Sequence, residues 1–353
     1  MKVLMVGTYP PPYGGISVHI ERLFWFLNSS KNIECSVLDT SGFNSHCKIQ
    51  ENIMTVKGNK LVRFLKIIEI IKSYKGNLIH YQVSAMGNFA FGGFMFTSVN
   101  REAKHIITIH SGNFTKKYLK SNAFMKRITK KTLERMDYII TVNEEQKIFI
   151  ENTLGIRGNV RTIPAFIHPS YEDDLQIKQE LQQMEGKYKS ILVVSGSIYR
   201  YYGFHFVVDA VKKMVNANEI GVIFVFYSGR DVNYENEIIN MIRDSENVKV
   251  YRDLTPAQYC TVLKSSDIFI RPTDRDGDSV SIREAGYFGK QIVASDCVRR
   301  PNGSILFKTD DINSLVVALT EALTDKHKGV LELDRQNNES EIEKTYNYIL
   351  KNY

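Results

Sequence analysis

Short, unbroken apolar runs separated by helix-like stretches are the feature that most limits what this chain can become. KVLMVG (2–7), IECSVLD (33–39), LIHYQV (78–83), HIITIH (105–110) and YIITVN (138–143) recur through the first half. Between them lie stretches such as ISVHIERLFWFLN and VRFLKIIEIIKSY, and the former puts Val18, Leu23, Phe24 and Leu27 on one side of a helix. Continuous apolar strands need cover on both faces, which crossover helices supply in parallel sheets. The alternation predicts a doubly wound α/β sheet.

The pattern breaks near VRTIPAFIHPSYEDD and then resumes with SILVVSG, GVIFVFYSG, VKVYRD, DIFIRP and QIVASD. Helices are expected over Phe206 to Val215, over Pro256 to Ser265 and after Ser281. The expected fold class is therefore α/β, with two Rossmann-like domains, 1–166 and 167–339, facing each other across a cleft. A length of 353 residues suits about two domains. The tail ESEIEKTYNYILKN places Ile342, Tyr346 and Ile349 on one helical stripe. By pattern alone, 340–353 fits either domain.

Apolar and charged fractions of 43% and 24% are those of a globular protein. Cys35, Cys47, Cys260 and Cys297 show no paired metal-ligand spacing, and no metal is expected. The apolar run Val3 to Val6 is too short for a signal-peptide core, and nothing later reaches the length of a membrane span. The expectation is a cytoplasmic protein. A net charge of +7 favours acidic partners, but no zinc spacing or recognition motif supports nucleic acid.

In open sheets of this kind ligands bind outside the carboxyl ends of the strands. Four such places stand out. Gly14-Gly15 precedes the first helix, where a bare backbone and helix-start amides favour an anion. The spacing is not that of a dinucleotide fingerprint, and a flexible loop end explains the glycines equally well. His110 ends HIITIH and leads into Ser111-Gly112, which suits a cleft residue or a hydrogen-bonded structural histidine. SGSIYRYYG offers a tight turn at Gly196 and a guanidinium at Arg200, which reaches an anion or simply decorates a tyrosine-rich surface loop.

The fourth place follows DIFIRP, where DRDGDSVSIREAGYFGK sets Asp276 and Glu284 eight positions apart. Its plain reading is a capping box from Ser281 to Glu284. Its functional reading puts the amides of Ser279, Val280 and Ser281 at a helix start, able to hold a diphosphate. Glu284, in the first turn, would then accept from the vicinal hydroxyls of a ribose. Asp276 would accept from the hydroxyls of a second sugar. One molecule joins these groups: a nucleotide sugar.

At this point the chain resembles the retaining glycosyltransferases of the GT-B fold, in the large family that includes sucrose-synthase-like enzymes and bacterial mannosyl- and glucosyltransferases. The resemblance runs from VLMVGTYPPPYGGIS through VASD. It implies that Glu284 holds the ribose, Asp276 meets the donor sugar, and His110 contacts that sugar near the anomeric centre. Gly15 would let the first loop approach the diphosphate, and the Val280 and Ser281 amides would bind it. Three departures stand out: Ser197 and Tyr202 replace the family's arginine and lysine, Asp276 replaces a glutamate, and Ala165-Phe166 replaces Asn-Gly. The implied reaction is metal-independent, retaining transfer of a hexose, with UDP as the default carrier, to a carbohydrate or lipid-linked acceptor in bacterial surface polysaccharide synthesis. No cofactor is implied, because the nucleotide sugar is a substrate.

The stretch FTKKYLKSNAFMKRITKKTLERM (114–136) carries eight basic residues against Glu134, interleaved with Phe114, Tyr118, Leu119, Phe124, Met125 and Ile128. Such a segment suits an anionic membrane surface, and equally a solvated helix packed by its apolar stripe. Rival functions on this fold are a sugar-nucleotide 2-epimerase, which needs no acceptor, and a non-catalytic nucleotide-sugar-binding protein, prompted by Ser197 and Tyr202. A phosphorylase would need a pyridoxal lysine, for which no residue is a convincing candidate.

Overall fold

A computed structural model describes the chain except for residues 12, 43–51, 113, 170, 277–278, 333–336 and 353. It separates into two compact units, 1–167 with 336–353, and 168–335.

The first unit contains strands β1 (Lys2–Gly7), β2 (Glu34–Asp39), β3 (Ile53–Thr55), β4 (Leu78–Val83), β5 (Lys104–Ile109), β6 (Tyr138–Thr141) and β7 (Val160–Thr162). Among the described residues they form a sheet in the order β3-β2-β1-β4-β5-β6-β7, with every pairing parallel. Helices α1 (Gly15–Ser29), α2 (Lys60–Ser73), α3 (Met86–Val99), α4 (Phe114–Lys120), α5 (Ala123–Glu134) and α6 (Glu144–Ile148) connect them. Two apolar clusters form, as two-sided cover requires. Tyr81, Ile107 and Phe96 belong to one, and Met5, Ile20 and Leu23 to the other.

The second unit has α7 (Leu175–Lys187), then β8 (Ser190–Ile198), α8 (Phe204–Lys213), β9 (Ile220–Arg230), α9 (Val232–Ile242) and β10 (Val248–Arg252). It continues with α10 (Pro256–Lys264), β11 (Ile268–Arg271), α11 (Val280–Tyr287), β12 (Gln291–Ser295), β13 (Ile305–Phe307) and α12 (Ile312–Thr324). Its described strands are again all parallel, ordered β10-β9-β8-β11-β12-β13. Helix α8 starts two residues before its expected position because Gly203 turns the chain in the left-handed region, at φ 72°. A Cβ at that glycine would also stand 2.2 Å from the Pro272 carbonyl oxygen.

The last helix, α13 (Asn338–Asn352), packs on the first unit. Ile342, Tyr346 and Ile349 are buried with the β1 and α1 residues. Each such side chain contributes about 1.5–3 kcal/mol when fully removed from water. Among the described residues, no helix is long and apolar enough to cross a membrane.

Strand order reverses between β1 and β4 in one unit and between β8 and β11 in the other. Crevices at such switch points, outside the carboxyl strand ends, are where open α/β sheets hold ligands. The loops after β1, β8 and β11 carry most of the residues singled out above, and His110 follows β5, next to β4.

Candidate functional site

In the second unit the crevice is built around an ion-pair cluster. Arg271, the last residue of β11, donates Nε and Nη2 to the two carboxylate oxygens of Asp276, each at 2.9 Å. Arg300 donates Nη1 to the same carboxylate at 2.7 Å. Side-chain exposures of 10%, 8% and 2% for Arg271, Asp276 and Arg300 show that the cluster is out of water. Burial alone would push the Asp276 carboxyl up, but the charges of Arg271 and Arg300 more than offset this and hold it below the usual carboxylate range.

The surrounding loops are stapled to this cluster. Arg300 Nε donates to the Ser295 carbonyl at 2.9 Å, and the Ser295 hydroxyl donates to the Thr273 carbonyl at 2.6 Å. Thr273 in turn bonds the Tyr201 carbonyl at 2.8 Å. Arg271 Nη1 donates to the Ser195 carbonyl, and its guanidinium lies over the Tyr202 ring. That ring covers Gly196, where an added Cβ would sit 2.1 Å from a ring carbon. The glycine is therefore required by tyrosine packing.

The plain capping-box reading of Ser281 and Glu284 is corrected. Ser279 caps α11, its hydroxyl accepting from the Ile282 amide at 3.5 Å. The helix begins at Val280, so Glu284 falls in its second turn, too far along to reach back to the cap. The Val280 and Ser281 amides belong to the first turn, which has no intrahelical acceptors. Glu284 is buried at 4% exposure, a costly place for a carboxylate. Burial and then the Glu284 charge raise the Tyr259 hydroxyl above its ordinary value. Tyr259 also bonds the Ser195 hydroxyl at 2.8 Å, which ties α10 to β8.

Arg200 stands apart from this group. It lies on a short 3-10 turn (200–202), pairs with Glu237 of α9 and stacks over the Tyr234 ring at 5.2 Å. The expected anion-seeking arginine is thus a surface ion pair. Arg271 and Arg300 are the buried cations that sequence reasoning missed; for Arg271 the signal was an arginine ending an apolar strand, and Arg300, in the loop after β12, carried none.

In the first unit, Gly14 precedes α1 in extended conformation, and among the described residues the Ser17 hydroxyl is the atom near the place of its missing Cβ, at 4.0 Å. Ser17 receives the Gly14 amide at 2.9 Å. Gly15 opens the helix. His110 follows β5, and its Nε2 bonds Gln82 Oε1 at 2.7 Å. The next residue is pinned by Gln146, whose Nε2 donates to the Ser111 carbonyl at 2.7 Å.

Two further imidazoles lie close by. The His19 ring packs edge-on to His110 with centroids 4.8 Å apart, and its Nδ1 donates to the Ala165 carbonyl at 2.6 Å. His80 bonds the Tyr346 hydroxyl at 2.6 Å and the Thr108 hydroxyl at 2.7 Å. Burial is the main cause that keeps all three uncharged. His19 is held at about 4, with the Ala165 bond opposing and Arg22 adding to the effect; His80 is held at about 3, with His19 adding. Burial, then His19 and His80, keep His110 well below the usual histidine value. His19, His80 and Gln82 were also missed, although polar residues inside an apolar strand or on a buried helix face are a readable signal.

The basic segment forms α4 and α5. Phe114, Tyr118, Met125 and Ile128 pack on the core, while Leu119 and Phe124 remain 55% and 67% exposed.

Comparison with known proteins bears on the family and the fold. The family model described as Glycosyl transferases group 1 matches residues 189–325, which include β8, β11 and α11. No curated protein sequence matches the chain. A glycosyltransferase from Rickettsia africae ESF-5 superposes with a TM-score of 0.72 at 16% identity, over 100% of this chain and 99% of that one. HepE from Anabaena, in complex with UDP and glucose, gives 0.70 at 15% identity over 99% and 98%. The sucrose-phosphate synthase of Thermosynechococcus elongatus gives 0.69 at 15% over 99% and 97%. The fold of this chain is that of the GT-B glycosyltransferases.

Proposed function

We propose that this chain, GT-B in fold and matching the group 1 glycosyltransferases through its second unit, transfers a hexose from a nucleoside diphosphate sugar with retention of configuration. The observation that carries the reading is the coincidence of the family match with the β8–β11 switch point, where α11 amides, a buried glutamate and a buried arginine pair converge. UDP is the proposed carrier, in keeping with the UDP bound by HepE.

In this reading the Val280 and Ser281 amides hold the diphosphate, and Glu284 accepts from the ribose hydroxyls. As the glycosidic bond breaks, negative charge collects on the leaving diphosphate. Fixed amides and buried guanidinium groups stabilise that charge without reorganising, which is the usual source of electrostatic catalysis. Asp276, already bonded to two arginines, acts by holding them in place. His110 is proposed, by the family resemblance alone, to accept from a hydroxyl of a sugar. Retention follows from same-face attack, with the leaving phosphate taking the acceptor proton.

The acceptor is proposed to be a carbohydrate or lipid-linked oligosaccharide of a bacterial surface polysaccharide. Leu119 and Phe124, set among the lysines of α4 and α5, would bring the enzyme to an anionic membrane face. Sedimentation with anionic but not neutral vesicles at low salt, lost in a Leu119→Ser/Phe124→Ser variant, is the expected result. Equal binding to both vesicle types removes the membrane from the account.

A panel of nucleoside diphosphates and their sugars, read by thermal shift, tests the donor class, because a ligand bound only by the folded state raises the melting temperature. Release of nucleotide from one donor in the presence of acceptor identifies transfer. Tight binding without turnover would favour the non-catalytic reading, which the surface pairing of Arg200 supports. Interconversion of donor sugars without acceptor would favour an epimerase.

A further inference from the structure

We infer that Gln82 is the positioning residue for His110: it fixes the imidazole as the Nε2–H tautomer and leaves Nδ1 as an acceptor for a hydroxyl. The transferase reading enters only in naming that hydroxyl as a sugar's.

An amide oxygen can only accept. The 2.7 Å contact between Gln82 Oε1 and His110 Nε2 therefore requires the proton on Nε2. The neutral ring then has a lone pair on Nδ1. Gln82 is itself held in one orientation. Its amide nitrogen lies 3.3 and 3.4 Å from the two ring nitrogens of His80, both of which are engaged by the Tyr346 and Thr108 hydroxyls. Flipping the amide would turn its oxygen toward the lone-pair nitrogen of His80, a repulsive contact, and would turn its NH2 toward His110 Nε2, which could accept it only as the opposite, Nδ1–H, tautomer.

The surroundings leave little slack. Gln82 is 6% exposed, and His80 and Tyr346 are fully buried. A Cβ on Gly7 would stand 3.0 Å from Gln82 Cβ and 2.6 Å from Ile20 Cδ1, so β1 approaches β4 closely there. His19 and His80 are the titratable groups facing His110. The path Tyr346–His80–Gln82–His110 also connects the C-terminal helix to the reactive histidine. Residues remote from any ligand would thus set what the histidine can bind.

Two variants of the full chain separate the effects. Gln82→Met keeps the length and removes the acceptor; Gln82→Glu keeps an acceptor oxygen and adds charge. In 15N-histidine NMR the wild type should show His110 as Nε2–H. Gln82→Met should lose that preference, and Gln82→Glu should keep it. His110 remaining Nε2–H in Gln82→Met overturns the inference. In transfer assays Gln82→Met should lower kcat about tenfold, the scale of one neutral hydrogen bond, with nucleotide Kd unchanged. Gln82→Glu should recover most of the rate and move the acid limb of the pH profile upward, because a carboxylate stabilises the imidazolium. If Gln82→Met does not fold, Gln82→Glu decides alone, and an unmoved acid limb overturns the inference. A wild type inactive with every donor would sink the transferase reading, while the tautomer measurement would still decide the role of Gln82.

Discussion

Around His110 the first unit places uncharged imidazoles: His19, His80 and His110 are neutral and tied to a carbonyl, two hydroxyls and an amide. In the second, at the matching sheet edge, Asp276 lies charged between Arg271 and Arg300. Both are built on parallel sheets that bury their strands on two faces. The difference shows that one architecture supports two electrostatic regimes. Neutral acceptors suit the hydroxyls of a sugar, whereas fixed positive groups suit a departing phosphate. Each regime has its own way of failing.

Removing one partner of the buried cluster is the most damaging test. Asp276→Leu leaves two buried guanidinium groups without their carboxylate, and breaking a buried pair in this way costs about 3–5 kcal/mol. The second unit should lose hydrogen-exchange protection in β8 and β11, while β4 and β5 keep theirs. Uniform loss across both sheets would mean the two regimes are not separable.

Acid comes next. His19 falls from 6.5 to about 4 on folding, so between those values the unfolded chain binds the extra proton. This stability is fully present above pH 6.5 and is lost as pH falls toward 4, worth roughly 3 kcal/mol by linkage. His80 adds in the same direction. Asp276 behaves differently: its depressed pKa gives stability that is complete above the ordinary carboxylate value of about 3.9 and is lost only below it. Acidification from pH 7 to 4.5 should therefore weaken protection in the first unit before the second. The reverse order would contradict the assignment of charge states.

A smaller effect is expected from Tyr346→Phe, which strips one hydroxyl from His80. Leaving a buried group unsatisfied costs about 1–3 kcal/mol, and the loss should be confined to the first unit. Arg200→Ala should do least. An exposed pair with Glu237 is worth about 0–1 kcal/mol, and donor affinity should stay within about fivefold, the factor that about 1 kcal/mol represents. A large loss of affinity would restore Arg200 to the anion site.

The fold was legible because its strands are apolar runs with little else in them. LIHYQV at 78–83 coincides with β4, and KVLMVG with β1. The three-residue edge strands β3, β7 and β13 were not read, since so short a segment carries no periodicity. Helix α3, MGNFAFGGFMFTSV, is apolar nearly all round and shows no single face to detect. Pattern alone left the tail with either domain, because the stripe of Ile342, Tyr346 and Ile349 says what is buried but not against what. In the candidate site, the strand-end positions of His110 and Asp276 could be read, but their partners could not. Gln82 is distant from His110 in sequence, and Arg300 from Asp276, so only the strand order brings them together. Spacing also misjudged the α11 cap, because Ser279 and Ser281 are equally good capping residues by type.

The most direct test of the account is a calorimetric titration of the donor-class nucleotide sugars into wild-type protein and Glu284→Ala. The account predicts saturable binding by the wild type, with Kd raised about tenfold or more in the variant, the loss of a hydrogen-bond pair to a charged group. The corresponding sugar phosphate lacking the nucleoside should bind both proteins alike. Unchanged affinity in Glu284→Ala, or no binding of any nucleoside diphosphate sugar by the wild type, would contradict it.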